Sequence, residues 1–100
     1  MGYITTNMAY KEILLLDEML TKKEIPHTMR PLYGGWQIRF PVLILDDYVA
    51  SIVEHNYSYG LEIMSKEILG HDDVEGYLKA EYVCKLLEDY CNKNRKEQGK

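Results

Sequence analysis

Met29-Arg-Pro-Leu-Tyr-Gly-Gly-Trp-Gln-Ile-Arg-Phe40 is the stretch that decides the fold. Two glycines between runs of strand-forming residues mark a hairpin, because a tight primed turn needs positive φ at its centre. With Gly34-Gly35 as the loop, Tyr33 lies opposite Trp36, Pro31 opposite Ile38, and Met29 opposite Phe40. Side chains alternate across a sheet, so these six share one apolar and aromatic face, while Arg30, Leu32, Gln37 and Arg39 fall on the other.

The next segment extends the meander. Phe40 to Leu45 is apolar, Asp46-Asp47 is turn-like, and Tyr48 to Glu54 has strand composition. A loop at Asp46-Asp47 sets Phe40 against Val53, Ile38 against His55 and Trp36 against Tyr57. On the opposite face it sets Arg39 beside Glu54. Pro41 must then lie at a bulge or an edge, since it has no N–H to donate.

Helices flank this sheet. Ala9, Ile13, Leu16 and Leu20 recur at helical spacing, with Met8, Leu15 and Met19 alongside. Thr6 or Asn7 is the expected cap, Lys22 and Lys23 suit the carboxyl end of the dipole, and Pro26 blocks continuation. Tyr10 and Leu14 fall off the apolar face. Leu61, Met64, Ile68 and Leu69 predict a short helix closed by Gly70. A polar connection, His71 to Glu75, leads to a second long helix from about Leu78 to Asn92, with Val83, Leu86, Leu87 and Tyr90 on one face. The expected architecture is α+β. It is a three-stranded antiparallel meander packed by an N-terminal and a C-terminal helix, with a short helix between. Residues 1–92 form one domain and 93–100 a polar tail.

One hundred residues suffice to bury roughly two-thirds of the unfolded surface. A composition of 46% hydrophobic and 28% charged residues is that of a globular domain. A net charge of −4 disfavours general nucleic-acid binding, which needs a basic footprint. No apolar run approaches a membrane span, and Met1 to Thr6 lacks the pattern of a secretory signal. A cytoplasmic protein is expected. Cys84 and Cys91 lie on one helix, on the order of 10 Å apart along its axis, too far to pair with each other. They read as buried or half-buried free thiols.

The residues spell out no reaction. His71-Asp72-Asp73, with His55 or His27, lacks a recognised ligand spacing and reads as a polar loop before a helix, so no metal or other cofactor is expected. His55 with Ser58 lacks a nucleophile elbow, and the register puts His55 on the core face as a structural histidine. Gly34-Gly35 joins two strands, with no helix amino terminus after it to hold a phosphate. Arg30 and Arg39, on neighbouring strands, either clamp a phosphate or carboxylate or form a surface ion row with Glu54. Nine tyrosines supply large contact area at low entropic cost, as protein-binding surfaces do. Tyr57 and Tyr59, in a polar loop after a strand, are the two expected at a surface.

At Gly34-Gly-Trp-Gln-Ile-Arg-Phe-Pro41, Ile52-Val-Glu-His-Asn-Tyr-Ser-Tyr-Gly60, Leu61-Glu-Ile-Met64 and Gly76-Tyr-Leu-Lys-Ala-Glu-Tyr-Val83 the chain resembles small proteins of phages and prophages of Gram-positive bacteria. The resemblance spans His27 to Asn92, departing at Lys79, where a helix-capping threonine is expected. It implies an accessory protein in a bacterial cytoplasm, similar to inhibitors of host defence such as anti-CRISPR proteins.

Three expectations follow. The first is a non-enzymatic binder of a host protein such as a defence nuclease, using Tyr57, Tyr59, Trp36, Arg30 and Arg39. The second is a protein that sequesters a nucleotide-like signal through Arg30 and Arg39. The third is self-association through Leu43, Leu45, Tyr48 and Ile52, the apolar half of the outer sheet face, to give a homodimer. Sequence-specific nucleic-acid contact and membrane insertion are not expected.

Overall fold

The computed structural model describes residues 10–41 and 48–98. Helix α1 (Lys11–Lys22) leads into strands β1 (Thr28–Leu32), β2 (Gly35–Phe40), β3 (Ala50–Glu54) and β4 (Leu61–Met64). A short helix α2 (Lys66–Leu69), strand β5 (Glu75–Leu78) and a long helix α3 (Ala80–Gln98) follow. The strands form one antiparallel sheet in the order β1-β2-β3-β4-β5. The class is α+β, as the sequence predicts, but the sheet has five strands where three are expected.

Both additional strands lie beyond Glu54. In β4, Leu61 and Ile63 are buried while Glu62 and Met64 face away, a period of two. The spacing of Leu61 and Met64 therefore fits a helix only by coincidence, and pairing of Ile63 with Ile52 decides the matter. The helix begins after Ser65, whose hydroxyl accepts from the Ile68 N–H at 3.1 Å, and ends at Gly70, φ 83°. Strand β5 opposes Gly76 and Tyr77 to the single residue Glu62, a bulge between the pairs Leu61–Leu78 and Ile63–Glu75. Helix α3 continues through Gln98, past the expected end at Asn92, so the polar residues after it prolong the helix.

The first hairpin turns one residue earlier than expected. Leu32 pairs with Gly35, and Tyr33-Gly34 is the loop, with φ of 47° and 80° at its two positions. This is the geometry of a primed two-residue turn. Gly35 is a glycine for another reason: a Cβ there would lie 2.1 Å from the Glu54 carbonyl oxygen. The change moves partners by two positions, so Met29, Pro31, Trp36, Ile38 and Phe40 still share a face.

The β2–β3 register differs by three positions and reverses β3. Phe40 pairs with Ala50, Ile38 with Ile52 and Trp36 with Glu54, so nine residues, 41–49, separate the strands; Asp46-Asp47, the expected turn, lies outside the described residues. Ile52 and Glu54 therefore face the helices, and Ser51 and Val53 face away. Pro41 falls just beyond the end of β2.

Both long helices lie on the Ile38 side. Ile13, Leu16 and Leu20 of α1 and Val83, Cys84 and Leu87 of α3 close over Ile38, Phe40, Ile52 and Ile63. Tyr90 meets Phe40 edge-on at 5.8 Å. Leu15, expected on the apolar face, is 43% exposed. The α1 cap position is Tyr10, which makes no side-chain capping bond. Ala9, Met8, Thr6 and Asn7 lie outside the described residues. Cys84 is buried, Cys91 is half-buried, and neither forms a disulfide among the described residues.

Candidate interaction surface

One end of the sheet gathers four exposed tyrosines, while a fifth among the described residues, Tyr82, lies on α3. The β1–β2 turn carries Tyr33, the β3–β4 connection carries Tyr57 and Tyr59, and β5 brings Tyr77 beside them. Their exposures are 61%, 77%, 61% and 79%. Two backbone hydrogen bonds tie these segments together. Asn56 N–H donates to the Tyr33 carbonyl at 3.1 Å, and Tyr77 N–H donates to the Tyr59 carbonyl at 2.7 Å.

Two ring groups result. Tyr33 meets His55 at 5.3 Å and Tyr57 at 5.5 Å, both edge-on, with His55 and Tyr57 6.2 Å apart. His55 is held from below. Its Nδ1 accepts from the Tyr57 N–H at 3.0 Å, and its own N–H donates to the Ser58 hydroxyl at 2.9 Å. It is hydrogen-bonded as expected, but it sits in the tyrosine group and not beside Ile38. In the second group Tyr59 and Tyr77 lie 6.0 Å apart, tilted by 46°.

Against the first group lies a cleft of about 420 Å³, lined by Tyr10, Leu14, Pro31, Tyr33 and Trp36. Tyr10 and Leu14, which lie off the apolar helix face in sequence, form one wall, and the Tyr10 hydroxyl bonds the Asn56 side chain. Trp36 is half-buried on the helix side of β2, opposite Pro31 and Glu54, so only its rim reaches this surface.

Arg30 and Arg39 lie on the opposite face of the sheet from Trp36. They are diagonal neighbours across the β1–β2 pair, since Arg30 pairs with Gln37 and Arg39 with Thr28. The expected ion row with Glu54 does not form, because the reversal of β3 turns Glu54 inward. There it is 6% exposed, and its Oε1 accepts from the Ile13 N–H at 3.0 Å. Burial, the largest influence, and the nearby Glu12 raise the Glu54 carboxyl above its usual range, while that hydrogen bond opposes them. Arg39 stacks over Tyr48 at 5.0 Å, its Nε is buried without a hydrogen-bond partner, and neither arginine forms an ion pair among the described residues. Gln37 and Ser51 share this face, buried and joined at 2.9 Å.

The same reversal removes Ile52 from the expected self-association face. Ile52 is fully buried under the helices, Tyr48 is half-buried against Arg39, and Leu43 and Leu45 lie outside the described residues. His71 contacts Glu75 at 3.2 Å, and its Nδ1 accepts from the Asp73 N–H. His27 bridges Asp17 and the Ile25 carbonyl. Among the described residues no helix is long and apolar enough to cross a membrane.

Tyr33 and Tyr77 join the surface without having been singled out in the sequence. Tyr33 carries a signal: in a Leu-Tyr-Gly-Gly run it is either the last strand residue or the first turn residue, and the latter projects it outward. Tyr77 carries none, because its position depends on pairing of a four-residue edge strand. No family model matches the chain, and neither a curated protein nor a solved structure is similar enough to it to count as a match.

Proposed function

We propose that the chain is a non-enzymatic docking module that binds another protein through the tyrosine end of its sheet. The carrying observation is the group Tyr33, Tyr57, Tyr59 and Tyr77, exposed by 61–79% on three segments joined by backbone hydrogen bonds. Rings that are exposed yet fixed by the scaffold lose little freedom on binding, which favours affinity. The adjoining cleft at Trp36 offers a pocket for an apolar anchor. The resemblance to phage proteins gives this reading a biological form, inhibition of a host protein such as a defence nuclease in the bacterial cytoplasm.

The test compares tagged wild-type chain with a Tyr57→Ala/Tyr59→Ala variant as bait in bacterial lysate, followed by reconstitution with the purified captured protein. A stoichiometric partner held by the wild type and lost by the folded variant supports the reading. Equal binding by both overturns it.

A second reading has its own support. Arg39 has lost the carboxylate that the sequence offers it, and Arg30 lies diagonal to it on the same face. Two such guanidinium groups suit a phosphate, and with it sequestration of a nucleotide-like signal. Under this reading a panel of cyclic and linear nucleotides raises the melting temperature and Arg39→Ala abolishes the rise. No shift across the panel ends it.

A further inference from the structure

Among the four tyrosines at this end of the sheet, Tyr77 is the most exposed, and its backbone has φ 56°, a conformation that a bulky L side chain adopts at a cost. Its ring buries nothing in the core to offset that cost. Strain at an exposed residue points to a task outside the fold. The neighbourhood indicates which. Gly76 lies so close to Tyr59 that a Cβ would meet Tyr59 Cβ at 2.9 Å, and Glu62 Cγ lies 3.5 Å from the same point. Glu62 is fixed there by accepting from the Tyr59 N–H through Oε2 at 2.8 Å. Two tilted rings 6.0 Å apart thus belong to a cluster in which the Tyr59 backbone anchors a carboxylate, and no lysine or arginine of the described residues forms an ion pair with that carboxylate.

A planar cation within about 6 Å of a tyrosine centroid is drawn to the ring face, and a carboxylate at the edge completes the charge balance. The net charge of −4 adds long-range attraction for such a group. We infer that Tyr59, Tyr77 and Glu62 form a receptor for a guanidinium group, which the docked protein supplies as an arginine side chain. This rests on the docking reading and states which chemistry the partner must present. It makes the bulge at Gly76-Tyr77 a device that swings one ring against another across an edge strand.

The probe is acetyl-Gly-Arg-Gly-amide, titrated into isotope-labelled chain while the Tyr59 and Tyr77 ring resonances are followed, beside its lysine and citrulline counterparts. The arginine peptide moves both rings saturably and the citrulline peptide does not. Glu62→Gln, which keeps the acceptor for Tyr59 N–H, and Tyr77→Asn, which suits the left-handed backbone, each weaken binding by about fivefold or more. Unmoved rings, or equal affinity in Glu62→Gln, overturn the receptor. Tighter binding of the lysine peptide overturns the guanidinium assignment. If the peptides are silent while the Tyr57→Ala/Tyr59→Ala variant still loses a captured partner, the receptor fails and the docking module stands. If peptide binds but that variant keeps its partner, the docking surface lies elsewhere.

Discussion

Glu54 closes the amino end of α1: its Oε1 accepts from the Ile13 N–H, the donor that a side chain at the cap position Tyr10 leaves unanswered. Glu12, one residue earlier, accepts in turn from the Ala80 N–H at 2.8 Å at the start of α3. Two carboxylates thus link β3 to α1 and α1 to α3 at the tyrosine end. Glu54→Ala leaves a buried donor without a partner and is expected to cost about 1–2 kcal/mol in a denaturant titration.

The same carboxylate gives a pH dependence of definite sign. Burial raises its folded pKa above the unfolded one, so between the two the folded chain binds more protons. Its contribution is full below the unfolded value and is lost as pH rises through the folded value. Stability should therefore fall across mildly acidic pH toward neutrality on this account. Glu54→Gln keeps an acceptor for Ile13 without the buried charge, and should flatten that slope in melting curves taken across the range. An unchanged slope would assign it to another group.

Gly35→Ala tests the strand crossing directly. The added Cβ would sit 2.1 Å from the Glu54 carbonyl oxygen and 2.6 Å from His55 Cα, both backbone atoms that cannot turn aside. A loss of about 3 kcal/mol or more is expected, with both the tyrosine end and the Glu54 cap displaced. Gly70→Ala is the contrast, since nothing lies within 4 Å of its Cβ. It carries only the strain of φ 83°, about 1 kcal/mol. Denaturant midpoints of the two variants order them.

These positions also separate what local sequence dictates from what it does not. Face polarity of the first hairpin is legible because Met29, Pro31, Trp36, Ile38 and Phe40 keep their parity when the turn moves from Gly34-Gly35 to Tyr33-Gly34. The β2–β3 pairing is not, because nine residues separate Phe40 from Ala50, and a dipeptide such as Asp46-Asp47 fixes a register only when it is itself the whole loop. Strand β4 is too short for one turn of a helix to be told from four alternating residues, and β5 exists through its pairing. Tyr57 and Tyr59 were legible as surface residues from their polar loop. Tyr77 was not, since the pairing of β5 brings it to Tyr59, and neither was Glu62, whose bond to the Tyr59 N–H depends on the local turn into β4.

Ile52 distinguishes the observed register from the one expected. It is fully buried beneath the helices and pairs with Ile38 and Ile63. Ile52→Ala should cost about 2–5 kcal/mol by chemical denaturation. On an outer sheet face the same substitution would alter self-association and leave the monomer's stability within about 0.5 kcal/mol. Sedimentation alongside the denaturation curve separates the two.

Tyr33 links stability to docking with opposite signs. It occupies the first central position of a primed turn at φ 47°, where asparagine is favoured, and its ring is 61% exposed. Relief of the backbone and loss of the ring contacts to His55 and Tyr57 act against each other. The exposed edge-on contacts contribute about 0.5–1 kcal/mol and the turn preference about 1 kcal/mol or more, so the backbone prevails narrowly. Tyr33→Asn should therefore melt at or slightly above the wild-type temperature. Affinity for a protein bound at the tyrosine end should nevertheless fall at least tenfold, since an aromatic anchor in such a surface contributes about 2 kcal/mol. A variant that is destabilised by 2 kcal/mol or binds unchanged would show that Tyr33 serves the fold and not the partner.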